Sequence, residues 1–175
     1  IDFEVHADGL DFGELLALLL GPEARGKGEL FGTLSASIVR GKTLDVRFGR
    51  GRLYAKPEGG WWSFGGAAAQ TGKALAESAL RRSGREDLSQ RDRERVTDGL
   101  LNFQYTALQA DFIERKDDVL ARLTARGRSR DEKNPVQFEG LVLDFPDFAG
   151  NLRKVIIIQT GIERTKERIV ERSAR

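Results

Sequence analysis

The chain has 175 residues, with 29 Lys and Arg against 27 Asp and Glu and a formal net charge of +2. That length suits one domain rather than two, with a core that buries about 70% of the unfolded chain's surface. A hydrophobic share of 39% excludes wholesale disorder, the balanced charges give no electrostatic ground for nucleic acid, and the absence of cysteine excludes disulfides, thiol catalysis and thiolate zinc sites.

The chain starts at Ile1 and contains no Met, so it is expected to be a fragment or a processed product. Its longest purely apolar run, Leu15 to Leu20, is far shorter than the ~18 residues of a membrane span.

Residues 2–8 alternate, with Phe3, Val5 and Ala7 opposite Asp2, Glu4, His6 and Asp8, which predicts a half-buried strand broken at Gly9. Asp11 is placed to cap a short helix rich in leucine, ended by Gly21-Pro22. Gly26-Lys27-Gly28 reads as a turn, and from there the period is two: Leu30, Gly32, Leu34, Ala36 and Ile38, a turn at Arg40-Gly41-Lys42, then Leu44, Val46 and Phe48. Gly49-Arg50-Gly51 reads as another turn before Leu53 and Ala55, and Pro57 to Gly60 as a further one before a short strand over Trp61 to Phe64.

A helical period follows from Gly66 to Arg82, where Ala68, Gly72, Leu75, Ala76, Ala79 and Leu80 form a stripe of small and apolar groups. Ser89 with Asp92 resembles a capping box and opens a second helix through Val96 and Leu100. The Arg-rich segment between, residues 81–95, also carries acids and reads as a solvated helix end and loop. Strands return with Leu108, Ala110 and Phe112, then Val119, Ala121, Leu123 and Ala125 after a charged turn at Arg115 to Asp118. A polar connection over Gly127 to Pro135 leads to Val136, Phe138, Gly140 and Val142. Pro146-Asp147 suits a helix start, although the β-branched run Val155 to Ile158 opposes it, and Ile162 to Arg175 reads as a charged helix or tail.

The fold class expected is therefore mainly β: a long curved antiparallel sheet forming a groove, in a single domain over residues 1–160 with a helical insertion at about 66–101, and a charged terminal segment over 161–175. Glycines such as Gly28, Gly32 and Gly140 permit sharp bends in such strands.

The catalytic inventory is poor. His6 is the sole histidine; a Glu4, His6, Asp8 metal or proton-transfer site would need ligands from elsewhere. No serine has the flanking glycines of a nucleophile elbow, and Gly41-Lys42-Thr43 lacks the leading glycine of a phosphate loop. Of the adjacent Trp61 and Trp62, one is expected in the core and the other at a rim, because neighbours in a strand point to opposite faces. Aromatic and Arg residues interleave around Phe48 to Tyr54, but the interspersed acids argue against stacked nucleic acid. No catalytic residue, metal or cofactor is expected. The apolar sheet face must be covered, and the Ala and Gly stripe of the 66–82 helix offers limited cover. Either the face closes as a core or it stays partly open and suits a lipid chain.

The order of segments carries a resemblance. A Leu-rich helix at Leu10 to Leu20 precedes Gly26-Lys27-Gly28-Glu29-Leu30-Phe31-Gly32-Thr33-Leu34 and the Leu44 to Tyr54 strand. Leu100-Leu101-Asn102-Phe103-Gln104-Tyr105-Thr106-Ala107-Leu108 and Asn134-Pro135-Val136-Gln137-Phe138 follow. This arrangement, from about Phe3 to Leu152, resembles the C-terminal part of the YdbH-like proteins, the dicarboxylate-transport family of the AsmA-like superfamily. The resemblance implies the periplasmic part of a bacterial envelope protein, held in the inner membrane by an anchor that lies outside this chain, whose curled sheet conducts phospholipids to the outer membrane. It also implies a small outer-membrane lipoprotein partner that adds a strand to the sheet. The groove candidates are Leu30, Leu34, Ile38, Leu44, Val46, Phe48, Leu108, Phe112, Val119, Leu123, Phe138 and Val142. The partner edge is expected along Val136, Glu139, Leu141 and Leu143, with Leu141 and Leu143 as anchors on one face and Phe138 and Val142 on the other. The alternative is an end-piece that recruits the lipoprotein without binding lipid.

Overall fold

The computed structural model describes residues 1–40, 44–85, 87–115, 119–133 and 135–145. Among them are β1 (Asp2–Asp11), α1 (Phe12–Leu20), β2 (Ala24–Lys27), β3 (Glu29–Arg40), β4 (Leu44–Ala55), β5 (Gly60–Phe64), α2 (Gly66–Arg82), α3 (Gln90–Leu101), β6 (Asn102–Glu114), β7 (Val119–Ser129) and β8 (Gln137–Phe145). The turns expected at 41–43 and 116–118, the helix expected after Pro146, the domain boundary at 160 and the charged terminal segment lie outside the described residues.

All eight strands join one open antiparallel sheet. β2 and β3 lie end to end, as do β4 and β5, because β6 pairs with β5 through residues 102–105 and with β4 through residues 109–112. The eight strands therefore occupy six positions that run in chain order: β1, β2/β3, β4/β5, β6, β7 and β8. This is a meander into which α1 is inserted after the first position and α2 with α3 after the third. β1 and β8 are its edges among the described residues.

Four one-residue irregularities bend the sheet without exchanging its faces. Gly9 is the extra residue in β1, Gly49 and Arg50 together oppose Ser35, Thr106 is extra in β6, and Glu139 and Gly140 together oppose Arg126. Each shifts the alternation of its strand by one, increases the local twist, and sends later side chains back to the correct side. The resulting curl brings β4 and β7 to within 8 Å although β6 lies between them, where two flat strand spacings would hold them about 9.5 Å apart.

The two glycine triplets read as turns are not turns. Gly26 and Lys27 pair with Trp62 and Trp61 in the β2 and β5 ladder and Gly28 joins β2 to β3, while Gly49 and Arg50 form the bulge of β4 and Gly51 pairs with Leu34. Gly28, at φ 145°, lets the backbone pass beneath the Tyr105 hydroxyl, and Gly32, at φ 142°, lies so close to the Arg52 carbonyl that a side chain has no room. β7 also continues to Ser129, so the polar connection is shorter than the sequence suggests. Val142 is a further correction. The bulge at Glu139-Gly140 places it opposite Thr124, away from Leu141 and Leu143, which pair with Ala125 and Leu123 on the apolar face.

The helices start and stop where local chemistry dictates. The Asp11 carboxylate accepts the Glu14 N–H at 2.9 Å, and Gly21 ends α1 at φ 98°. α2 begins at Gly65, which has no side chain to cap it; the Glu23 carboxylate supplies the acceptor for the Ala67 N–H. Ser89 caps α3 through the Asp92 N–H. The small stripe of α2 (Ala68, Gly72, Ala76) is buried, which lets Phe64 and Leu101 pack onto its backbone at Gly72.

These helices enclose an aromatic core at one end of the sheet. Trp62 and Phe103 are fully buried and stack at 4.4 Å, Phe12 of α1 meets Trp62 and Tyr105 edge-on, and Phe138 meets Phe103 edge-on. The Trp62 indole donates to the Leu100 carbonyl at 2.7 Å, and the Tyr105 hydroxyl donates to the Lys27 carbonyl at 3.0 Å, so both polar handles are satisfied. Trp61 lies at the rim, half-buried beneath the Arg130 guanidinium, as the alternation of neighbours requires. Trp62→Ala is expected to cost about 3–5 kcal/mol in a denaturant titration; a loss below about 1 kcal/mol would show that the aromatic core is not what holds the helices to the sheet.

Candidate functional site

Register and burial together assign the side chains of the sheet to two unlike faces. On one face lie Phe3, Val5, Ala7 and Leu10 of β1, Leu30, Leu34, Ala36 and Ile38 of β3, Phe48 and Leu53 of β4, Leu108, Ala110 and Phe112 of β6, Val119, Ala121, Leu123 and Ala125 of β7, and Phe138, Leu141 and Leu143 of β8. Of the groove candidates, Leu30, Leu34, Leu108, Phe112, Val119 and Leu123 are buried, and Ile38, Phe48 and Phe138 are half-buried. Leu44 and Val46 lie in β4, in register with Arg40 and Ile38. The structure therefore brings most of the candidates together and excludes Val142.

The face is not uniform. Along the middle strands it is closed: Leu34 is 9% exposed and Leu123 8%. At β1 it opens, since Phe3, Val5 and Leu10 keep 39%, 40% and 39% of their surface. At the helical end the aromatic core fills it. Sequence reasoning left the β1 residues out of the groove, although their alternation was visible, because nothing in the pattern indicates which strand of a sheet lacks cover.

The other face carries a row of charge beside apolar Ile113, Leu120 and Val142, of which Leu120 is buried. The row runs straight across the sheet from Thr33 through Arg52, Asp111 and Arg122 to Asp144, each residue directly opposite the next. Arg52 Nε meets Asp111 at 2.6 Å, and Arg122 holds Asp144 with two bonds of 2.8 and 3.0 Å. Arg82 of α2 joins Asp144 at 3.0 Å. Burial would raise the Asp111 carboxyl, but hydrogen bonds from Arg52 and Gln109 and the charges of Arg52 and Arg122 outweigh it, so the net direction is down. The hydrogen bond from Arg122 lowers Asp144, partly opposed by burial and assisted by the charges of Arg82 and Arg122. Beside this row a hollow lined by Tyr54, Pro57, Thr106, Thr124, Arg126 and Glu139 opens over the bulges of β6 and β8.

The two edges differ. Leu141 and Leu143 of the expected partner edge are buried in the core and offer no anchor to a strand, while Glu139 is exposed. Val136 precedes β8 and bonds inward, its N–H donating to Ser129 Oγ and its carbonyl accepting the Ser129 N–H. α2 and α3 flank β8, leaving a cleft of about 420 Å³ lined by Leu80, Arg85, Val96, Phe138 and Gly140 among others. On β1, Glu4 and His6 approach at 3.9 Å in open solvent. Among the described residues no group of three His, Cys, Asp or Glu side chains is placed to hold a metal, and no helix is long and apolar enough to cross a membrane.

Comparison with protein-family models, curated proteins and solved structures gives no match.

Because the folded-state pKa values of Asp111 and Asp144 are lowered, their contribution to stability is present above the unfolded carboxylate value of about 3.9 and is lost as pH falls through the lower folded values. The melting temperature should accordingly be flat from neutral pH to about pH 5 and drop below about pH 4. Asp144→Asn should cost about 1 kcal/mol at neutral pH and shallow that drop. Melting curves for the variant that match the parent at both pH values would show that the row carries no stability.

Proposed function

We propose that this chain is a non-catalytic lipid-transfer module in which acyl chains contact the apolar face at the β1, β3 and β4 side. The observation that carries the reading is the single apolar face maintained over six strand positions of an open sheet, left uncovered at Phe3, Val5 and Leu10. Each methylene taken from water onto such a face contributes about 0.8 kcal/mol before ordering costs, so partial burial of one acyl chain suffices for useful affinity. The described side chains of β1 and of β3 up to Ile38 on that face are uncharged, so the recognition proposed is of hydrocarbon. In this reading the lipid path ends at the aromatic core of the helical end, where Trp62, Phe103 and Tyr105 are buried. The resemblance to YdbH-like proteins points the same way: a periplasmic segment of an inner-membrane-anchored bridge that moves phospholipids between the inner and outer membranes.

A second reading has an observation of its own. Leu34, Phe112 and Leu123 are closed over, as expected of an end-piece that recruits an outer-membrane lipoprotein by strand addition and never meets lipid.

The two readings part on conservative measurements. Phe3→Glu and Val5→Glu alter exposed side chains, so the melting temperature should stay within a few degrees of the parent while phospholipid recovered by organic extraction falls to background. Leu123→Asp, in the closed part, should instead unfold the chain. Parent protein that yields no phospholipid and fails to label with a photoreactive lipid would remove the transfer reading and leave the end-piece.

A further inference from the structure

At the helical end of the sheet, the face turned away from the aromatic core is built from two adjacent rows of side chains. Lys27, Trp61, Gln104 and Arg128 stand directly opposite one another on β2, β5, β6 and β7. Two residues along the strands, Arg25 lies opposite Ser63 and Ser63 opposite Asn102, whose carbonyl accepts the Arg130 N–H at 2.8 Å. The bases therefore mark the corners of a patch about 14 Å across the strands and about 7 Å along them. All four are exposed, and one indole, two amides and a hydroxyl lie between them.

Elsewhere on this face an arginine has its carboxylate on the next strand: Arg52 meets Asp111, Arg122 meets Asp144 and Arg126 meets Glu139. In the corner patch none of the positions is acidic, and among the described residues no carboxylate pairs with Arg25, Lys27, Arg128 or Arg130. Acids close by in the chain are turned elsewhere, Glu23 to the Ala67 N–H, Glu29 to Lys56 and Asp131 to the Lys133 N–H. The Arg130 guanidinium lies 4.5 Å from the centre of the Trp61 ring. Stacking fixes the plane of that guanidinium and leaves its edge, where the N–H donors are, for an acceptor.

From this juxtaposition we infer that the corner patch docks an acidic segment of a partner polypeptide, whose carboxylates take the place that Asp111, Asp144 and Glu139 hold elsewhere on the face. Three of the four bases are arginine, whose planar fork meets a carboxylate in two bonds, as Arg122 meets Asp144 at 2.8 and 3.0 Å. The amides of Asn102 and Gln104 between them suit the backbone groups of a polypeptide. Trp61 is half-buried beneath a guanidinium, so it offers no open ring for a nucleic-acid base to stack on and none to insert into a lipid surface. The segment packs on the face through side chains and adds no strand to the sheet. This surface is opposite the apolar face, and the inference does not depend on lipid binding.

The probe is a labelled, capped decapeptide of alternating Glu and Ser, compared at low ionic strength with its Gln and Ser counterpart. The Glu peptide should bind about tenfold or more tightly, with an advantage that shrinks at about 0.5 M salt. The indole N–H resonance of Trp61 should shift, and that of Trp62, bonded to the Leu100 carbonyl in the core, should not. Arg128→Gln combined with Arg130→Gln should abolish the preference. Arg128→Lys combined with Arg130→Lys keeps the charge but loses the fork, and should weaken the Glu peptide about threefold or more. Should loss of the stack on Trp61 loosen the fold, Arg25→Gln combined with Lys27→Gln makes the same test at the other two corners. Equal binding of the two peptides, or a lysine variant that binds the Glu peptide as the parent does, would overturn the inference. So would phosphatidylglycerol vesicles or a single-stranded oligonucleotide that displace the peptide as readily, at equal negative charge, as unlabelled peptide does.

Discussion

A sheet that turns apolar side chains to one side at six successive strand positions cannot leave that side in water, and the architecture of this chain follows from how the cost is met. Full burial of one Leu or Phe is worth about 1.5–3 kcal/mol, so an open face of this extent would exceed the net stability of an ordinary domain several times over. The four bulges respond to that constraint. Without the shift at Glu139-Gly140, Leu141 and Leu143 would point into solvent and Val142 into the core; without the one at Gly49-Arg50, Phe48 and Leu53 would lie on opposite faces. The same bulges curl the sheet so that its middle strands bury one another's side chains.

The helices meet the constraint at one end. α1 lays Phe12 and Leu16 over the β2 and β5 ladder, where Gly26 leaves space for them. The Trp62 indole fastens the far end of α3 through the Leu100 carbonyl. A stripe of Ala and Gly on α2, which looks meagre as cover, is what close packing on Phe64 requires: a bulkier residue at Gly72 would strike the ring. On the opposite face the arginine and carboxylate rows hold the strand register, and Arg82 ties α2 to Asp144 of β8 across the same network. On β1, Phe3, Val5 and Leu10 keep 39–40% of their surface, and Asp2, Glu4 and Asp8 lie opposite Ser37, Ser35 and Phe31 rather than arginines.

Much of this was legible in the residues. The alternation of Leu30 to Ile38, the caps at Asp11 and Ser89, the helical insertion, and the split roles of Trp61 and Trp62 all follow from period and local hydrogen-bonding chemistry. Two of the misreadings share one cause. A glycine pair flanking one residue has the same signature in a turn and in a bulge, so Gly49-Arg50-Gly51 was legible only once its cross-strand partners were known; Gly26-Lys27-Gly28 instead ends β2 and joins it to β3. Val142 was misassigned for the same reason, since a single extra residue inverts every side chain beyond it. Exposure of Phe3 and Val5 has no local signal at all, because it depends on which strands lie beside and above them.

The central claim is that hydrocarbon reaches the apolar face from the β1 side of the sheet and not the charged face. The most direct measurement places a photoreactive phenylalanine analogue singly at Phe3, Phe48 and Tyr54, and analyses phospholipid adducts by mass spectrometry after illumination in the presence of vesicles. Tyr54 is the control, an exposed aromatic on the charged face. The account predicts lipid adducts at Phe3 and Phe48 and none at Tyr54. Adducts of equal yield at all three positions, or at none, would contradict it.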